Sequence, residues 1–198
     1  MPGTYPPFLI GERFRICPPG TPPADDGRIN LVMDRGAFGS GEHETTVSCL
    51  EALEGLRFSD SERILDLGSG TGILAIAALL LGGGAAWCVD IEADAVASCR
   101  RNCAHNKVAR RVQHCQGTLE RLTETGFDLV LANIYGDILL QVASQLVAAA
   151  RPGALLLLSG ILWEYNFDVR QCYRRLGCRV IRNRMLPEFS TVLLEKAG

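Results

Sequence analysis

Apolar residues recur along this chain in short blocks set apart by polar, glycine-bearing stretches, and the blocks alternate between two spacings. Segments 63–67, 85–89, 112–115, 127–132 and 154–158 are short, apolar and rich in branched residues, as buried strands are. Between and after them, 73–81, 92–106, 136–149 and 165–176 carry helical spacing; in 92–106, Ala95, Val96, Cys99 and Cys103 share one face. Gly82-Gly83-Gly84 ends the first of these helices, and Pro152-Gly153 reads as a break before the 154–158 strand. Two further strands, 178–182 and 191–194, follow with no helix between them and a loop at Pro187, so they are expected to pair antiparallel. The alternation predicts an α/β fold: a mainly parallel sheet with helices on both faces and an antiparallel last strand.

The start of the chain reads differently. Seven of the nine prolines lie between Pro2 and Pro23. Proline donates no ladder hydrogen bond, so residues 1–28 are expected to be an extended lead-in without helix or central strand, ahead of a domain at 29–198. Residues 29–33 form a plausible short strand and 37–44 a loop, after which Thr45 or Thr46 is expected to cap a helix running to about residue 56.

Composition narrows the function classes. The chain has 198 residues, enough for one domain with a real core, and 47% are hydrophobic against 21% charged. A net charge of −2 argues against a generally basic binder of DNA. Six arginines crowd one C-terminal stretch from Arg170 to Arg184 and read as a solvated helix face and strand edge. The longest apolar run, Ile73 to Leu81, is far short of the roughly 20 residues of a membrane helix. Met-Pro-Gly-Thr-Tyr-Pro-Pro is no export signal, so the eight cysteines are expected to be reduced thiols in the cytoplasm. Cys99 and Cys103 stand one helical turn apart and His114 abuts Cys115, but no four-ligand spacing connects them. They are therefore expected to be small buried apolar groups, and no metal is expected.

Chemistry concentrates at Ile64-Leu65-Asp66-Leu67-Gly68-Ser69-Gly70-Thr71-Gly72-Ile73, where a buried strand runs through a turn with glycine at every second position into an apolar helix. Glycine is required where backbone takes positive φ or a ligand approaches the main chain, and the amides of the following helix favour an anionic group. A dinucleotide fingerprint needs its third glycine at position 73, which is Ile73, and no Gly-Lys-Ser/Thr ending marks a phosphate loop. Asp66 before the turn suits a ligand with an ammonium group and would repel a pyrophosphate. Asp90, ending the next strand, is placed to accept from two ribose hydroxyls, and alternatively to cap the next helix. Together these residues describe a site for a nucleoside bearing an amino acid.

Four stretches carry a resemblance. Phe38-Gly39-Ser40-Gly41-Glu42-His43-Glu44-Thr45-Thr46, then 64–76, then Leu131-Ala132-Asn133-Ile134, then Ser159-Gly160-Ile161-Leu162 occur in the order seen in the PrmA family, methyltransferases of a large-subunit ribosomal protein, L11. The glycine turn alone resembles any class I methyltransferase; the histidine-bearing loop together with Ala-Asn-Ile is more specific. The resemblance implies a seven-stranded class I methyltransferase domain using S-adenosyl-L-methionine. It implies cofactor contacts at Thr46, Gly68, Asp90 and Asn133, with Asp66, Ser69, Gly70, Gly72 and Ile91 completing the expected set. Asn133 would face the transfer point, its oxygen accepting from the incoming amine; no general base is assigned, and His43 is nearest to that role. Glu42 and Glu44 stand where the family usually has threonine and proline, and read either as an acidic rim suited to a cationic substrate or as a solvated loop. The family's N-terminal domain, which grips the ribosomal protein, is expected to be missing. The reading that follows is N-methylation of a protein amine on a ribosomal or other translation protein, in the cytoplasm. A small-molecule methyltransferase and a non-catalytic S-adenosylmethionine-binding subunit are the alternatives, and Ile73 disfavours a nicotinamide oxidoreductase.

Overall fold

A computed structural model describes residues 5–34 and 41–198, so Phe38, Gly39 and Ser40 of the histidine-bearing loop lie outside the described residues. The proline-rich beginning is more structured than its sequence suggests. Strands β1 (Phe8–Ile10) and β2 (Phe14–Cys17) form an antiparallel hairpin, and β3 (Ile29–Val32) joins β2 in parallel, making β2 a central strand of a separate three-stranded sheet. The prolines bracket these strands without entering them, with Pro6-Pro7 before β1 and Pro18-Pro19 after β2, so no ladder bond is lost. Phe14, Ile16 and Leu31 are fully buried. Helix α1 (Glu44–Glu54) fastens the hairpin, because the Glu54 carboxylate accepts from the backbone N–H groups of Glu12 and Arg13 at 3.1 and 2.8 Å.

Then comes the alternation: β4 (Arg63–Leu67), α2 (Ile73–Leu80), β5 (Ala85–Asp90), α3 (Ala93–His105), β6 (Val112–Gln116), β7 (Phe127–Asn133) and α4 (Gly136–Gln141). After α5 (Ala143–Ala149) follow β8 (Ala150–Leu162), α6 (Trp163–Arg175), β9 (Cys178–Met185) and β10 (Phe189–Lys196). The main sheet runs β6-β5-β4-β7-β8-β10-β9, and only β10 opposes its neighbours. This is the expected seven-stranded sheet with its last strand antiparallel.

Helices α1, α2 and α3 share one core with the face bearing Ile64, Cys88, Leu129 and Leu157; α4, α5 and α6 share another with Leu65, Val89, Val130 and Leu156. Helix α2 is apolar all round and buried from Ile73 through Leu79, as a helix wrapped by other elements must be.

Three local readings are corrected. The break expected at Pro152-Gly153 is a bulge inside β8: pairing jumps from Phe127↔Ala150 to Leu129↔Leu155, so the proline sits where no ladder bond is required. The helix expected over 136–149 divides at Val142, whose φ of −94° and ψ of 2° leave the helical basin. The cap of α1 is His43 and neither Thr45 nor Thr46: its ring nitrogen accepts from the Thr45 N–H, and both threonines are buried within the first turn.

Candidate functional site

The glycine turn is a run of backbone that only glycine adopts freely. Gly68, Gly70 and Gly72 have φ of 68°, 52° and 79°. Added methyl groups would also collide: a Cβ on Gly68 would overlap the Ile134 side chain, and one on Gly72 the Cys99 sulfur. The bend is clamped to its neighbour, since the Gly68 and Ser69 N–H groups donate to the Val89 carbonyl at 2.8 and 3.2 Å.

Asp90 closes the bend from the end of β5. One carboxylate oxygen accepts from the Gly70 N–H at 2.8 Å and the other from the Glu92 N–H at 3.0 Å. Each oxygen has lone-pair capacity for a further bond, and the side chain borders a cavity of about 660 Å³. That volume is within the roughly 300–1,000 Å³ of small-molecule sites. The cavity opens over the carboxyl ends of β4, β5, β6 and β7, where the strand order reverses. Gly68, Gly70, Asp90, Ile91 and Asn133 line it, as do Val89, Leu119, Ile134 and Tyr135; His43 and Phe189 stand at one end.

Asn133 ends β7. Its Nδ2 donates to the Thr46 hydroxyl at 3.4 Å, while its Oδ1 is buried with no hydrogen-bond partner. An acceptor left so costs about 1–3 kcal/mol, which an incoming donor would recover. The backbone of Ile134 lies on Gly160, where a Cβ would come within 2.6 Å of the Ile134 carbonyl oxygen, so Gly160 permits the close approach that aims Asn133.

The remaining expected contacts stand behind the cavity wall. Thr46 is fully buried and acts through Asn133; Gly72 serves as the N-cap position of α2; the Ser69 hydroxyl is buried without a partner. Asp66 is not aimed at a ligand ammonium. It is 2% exposed beneath the turn, where its carboxylate accepts from the Ala75 N–H at 3.2 Å, near the start of α2. Burial, opposed by that bond and aided by the charge of Asp90, pushes its pKa up to about 7.

His43 Nδ1 lies 2.8 Å from the Thr45 hydroxyl, and its ring meets Phe189 edge-on at 5.2 Å. One of its two ring nitrogens, Nδ1, is thus engaged at the helix start. Glu44 is also engaged: one oxygen accepts from the Glu188 and Phe189 N–H groups, both at 3.2 Å, so it ties down the β9–β10 connection instead of forming a free acidic rim.

One organising residue escaped sequence reasoning. Asn102, fully buried on α3, accepts from the Asp34 N–H at 2.8 Å and donates to the Thr71 carbonyl at 3.0 Å, joining the segment after β3 to the glycine turn. The signal was there: a polar residue within the apolar stripe Ala95, Val96, Cys99, Cys103.

Fold and cavity together define a class I methyltransferase architecture. Residues 2–195 match the family described as ribosomal protein L11 methyltransferase (PrmA), and the chain belongs to that family. It is 46% identical over 173 residues to the ribosomal protein L11 methyltransferase of Trichlorobacter lovleyi, covering 84% of this chain and 56% of that protein. The Chromohalobacter salexigens protein of the same name is 41% identical, with 87% of this chain and 58% of that protein covered. The chain thus spans little more than half the length of these relatives. A crystal structure of a ribosomal protein L11 methylase from Lactobacillus delbrueckii subsp. bulgaricus superimposes with a TM-score of 0.88 over 98% of this chain and 100% of that one, at 23% identity, and so shares the fold.

Proposed function

We propose that this chain binds S-adenosyl-L-methionine and transfers its methyl group to amino groups of a protein, with a ribosomal protein as the acceptor and the cytoplasm as the place. The observation that carries the reading is the unpartnered Asn133 oxygen, buried at the wall of the cavity that Asp90 also borders. Family membership supports the reaction class.

When bound, the cofactor supplies a methyl group that is already electrophilic on its sulfonium. The protein's work is therefore positioning and desolvation. Asp90 would take the ribose hydroxyls on its remaining lone pairs, with Ile91 and Leu119 giving the base apolar walls beside it. Gly68 and Gly70 allow the ligand against bare backbone. Asn133 Oδ1 would accept from the amine N–H and point the nitrogen lone pair at the methyl carbon. Holding two reactants in line is worth roughly 7–11 kcal/mol of the barrier. A lysine amine with a reference pKa of about 10.4 is almost wholly protonated at neutral pH. The apolar wall formed by Ile134, Ile138 and Phe189 favours its neutral form. No side chain is assigned as general base.

The test is transfer of tritiated methyl from labelled cofactor to purified ribosomal protein L11, to other translation proteins and to small amines. Label in protein amines, lost in Asn133→Ala, is expected. Label confined to small molecules would replace the acceptor, and cofactor binding without any transfer would leave a binding subunit.

A further inference from the structure

Behind the glycine turn, away from the cavity, three donors meet that sequence spacing does not connect: Cys88, Cys99 and His114. Cys88 on β5 and His114 on β6 are register partners in adjacent parallel strands, so their side chains share a face. Helix α3 covers that face with Cys99 and Cys103, one turn apart. The donor atoms of Cys88, Cys99 and His114 all lie within 4.8 Å of one another, and the Cys103 sulfur is 3.9 Å from that of Cys99. Cys88, Cys99 and Cys103 are buried, and all are free thiols.

We propose that Cys88, Cys99 and His114 form a three-donor site for one zinc-type divalent cation, with the fourth position open. A core of ordinary thiols explains the three cysteines, but not the imidazole: the Nδ1 of His114 is buried and has no hydrogen-bond partner. An imidazole with a buried, unpartnered nitrogen, standing beside two sulfurs, is a group that a metal would complete. The donor set is two cysteines and one histidine, which tetrahedral zinc takes with one position left open. Bonds of about 2.3 Å to sulfur and 2.0 Å to nitrogen place donors roughly 3.5–3.8 Å apart, so the three need to close by about 1 Å at most. Two thiolates and a neutral imidazole cancel the ion's charge, which suits a buried site. His114 lies on β6, the edge strand, and is half-buried, which gives an ion a way in.

The site is mechanically tied to the cofactor turn, because Gly72 packs directly on Cys99. Binding would fasten α3 to the sheet under the bend.

Test it on the full chain, stripped with chelator under reducing conditions and titrated with Zn²⁺ against a competing dye, then with Co²⁺. One equivalent is expected, with thiolate-to-cobalt charge-transfer absorption, tetrahedral d–d bands, and a higher Tm with Zn²⁺. Cys99→Ala and His114→Gln each lose the tight equivalent and the Tm gain, while Cys115→Ala, altering the next residue on the same strand, keeps both. Circular dichroism and Tm of the stripped variants show that they fold. Uptake no greater in the parent than in Cys99→Ala, or a cobalt spectrum without sulfur ligation, overturns the proposal.

Discussion

Two side chains at the turn separate roles that the sequence merges. Asp66 looks like a ligand carboxylate but is a buried acid that prefers its proton. Its pKa rises from 3.8 unfolded to about 7 folded, chiefly through burial. The protonated form is thus favoured by folding. Its contribution is complete below about pH 4 and is lost as pH rises towards 7, a difference of roughly 4 kcal/mol at about 1.36 kcal/mol per unit. Asp66→Asn, whose amide oxygen still accepts from the Ala75 N–H, removes that dependence. Urea unfolding of chelator-treated protein between pH 4.5 and 8 should show the variant gaining on the parent by up to this amount; parallel curves would refute the assignment. Asn133, by contrast, holds its oxygen for a group that arrives. Asn133→Ala is expected to lower kcat by 10- to 100-fold, about 1.4–2.7 kcal/mol, with S-adenosylmethionine affinity changed less than threefold. Equal losses in both, read by steady-state kinetics and calorimetry, would place Asn133 on the cofactor alone.

Among the elements, α3 joins the small sheet to the large one. Asn106 exchanges hydrogen bonds with the Val32 backbone at 2.9 and 2.7 Å, and Asn102 links the Asp34 N–H to the Thr71 carbonyl. Asn102→Ala removes both of these hydrogen bonds, so a loss of about 1–3 kcal/mol in unfolding free energy is expected. Faster amide exchange at Asp34 should accompany it; unchanged exchange there would mean that the bridge carries nothing. This junction also marks where sequence reading stops. The strands and helices from residue 63 onward were legible because each buried block has one period and glycine or loop punctuation. Gly68, Gly70 and Asp90 stood out because they fall at the carboxyl ends of those strands, whereas Asn133 was reached only through the family resemblance. The hairpin of β1 and β2 was not: strands of three and four residues have no period to read, and their pairing depends on α1. The bulge at Pro152 and the division at Val142 are decided by neighbouring strands and helices. The meeting of Cys88 with His114 is set by parallel register between β5 and β6, which no spacing along the chain encodes.

For the whole molecule, the cavity matters because elements from both faces of the sheet border it, α1 and α3 on one side and α4 on the other. Leu67, Val89, Leu119 and Ile134 reach it from the core under α4–α6, while Ala95 of α3 reaches it from the opposite side and the turn opens into α2 of the other core. A ligand seated there contacts both halves and binds only the folded chain, so its free energy adds to that of folding. At 100 times Kd the gain is about 2.7 kcal/mol. For a domain of this size each kcal/mol is worth about 2–4 °C, so S-adenosylmethionine should raise Tm by roughly 5–11 °C. NAD at the same concentration should give no shift: Ile73 stands where the dinucleotide turn needs glycine, and the Gly70 N–H that a pyrophosphate would use is already taken by Asp90. Asp90→Asn keeps an acceptor for the Gly70 N–H but weakens the grip on paired hydroxyls. It should therefore lose most of the S-adenosylmethionine shift while its Tm without ligand moves little. Equal shifts with both nucleotides, or an undiminished shift in Asp90→Asn, would mean that the cavity recognises adenosine without using the carboxylate built into its rim.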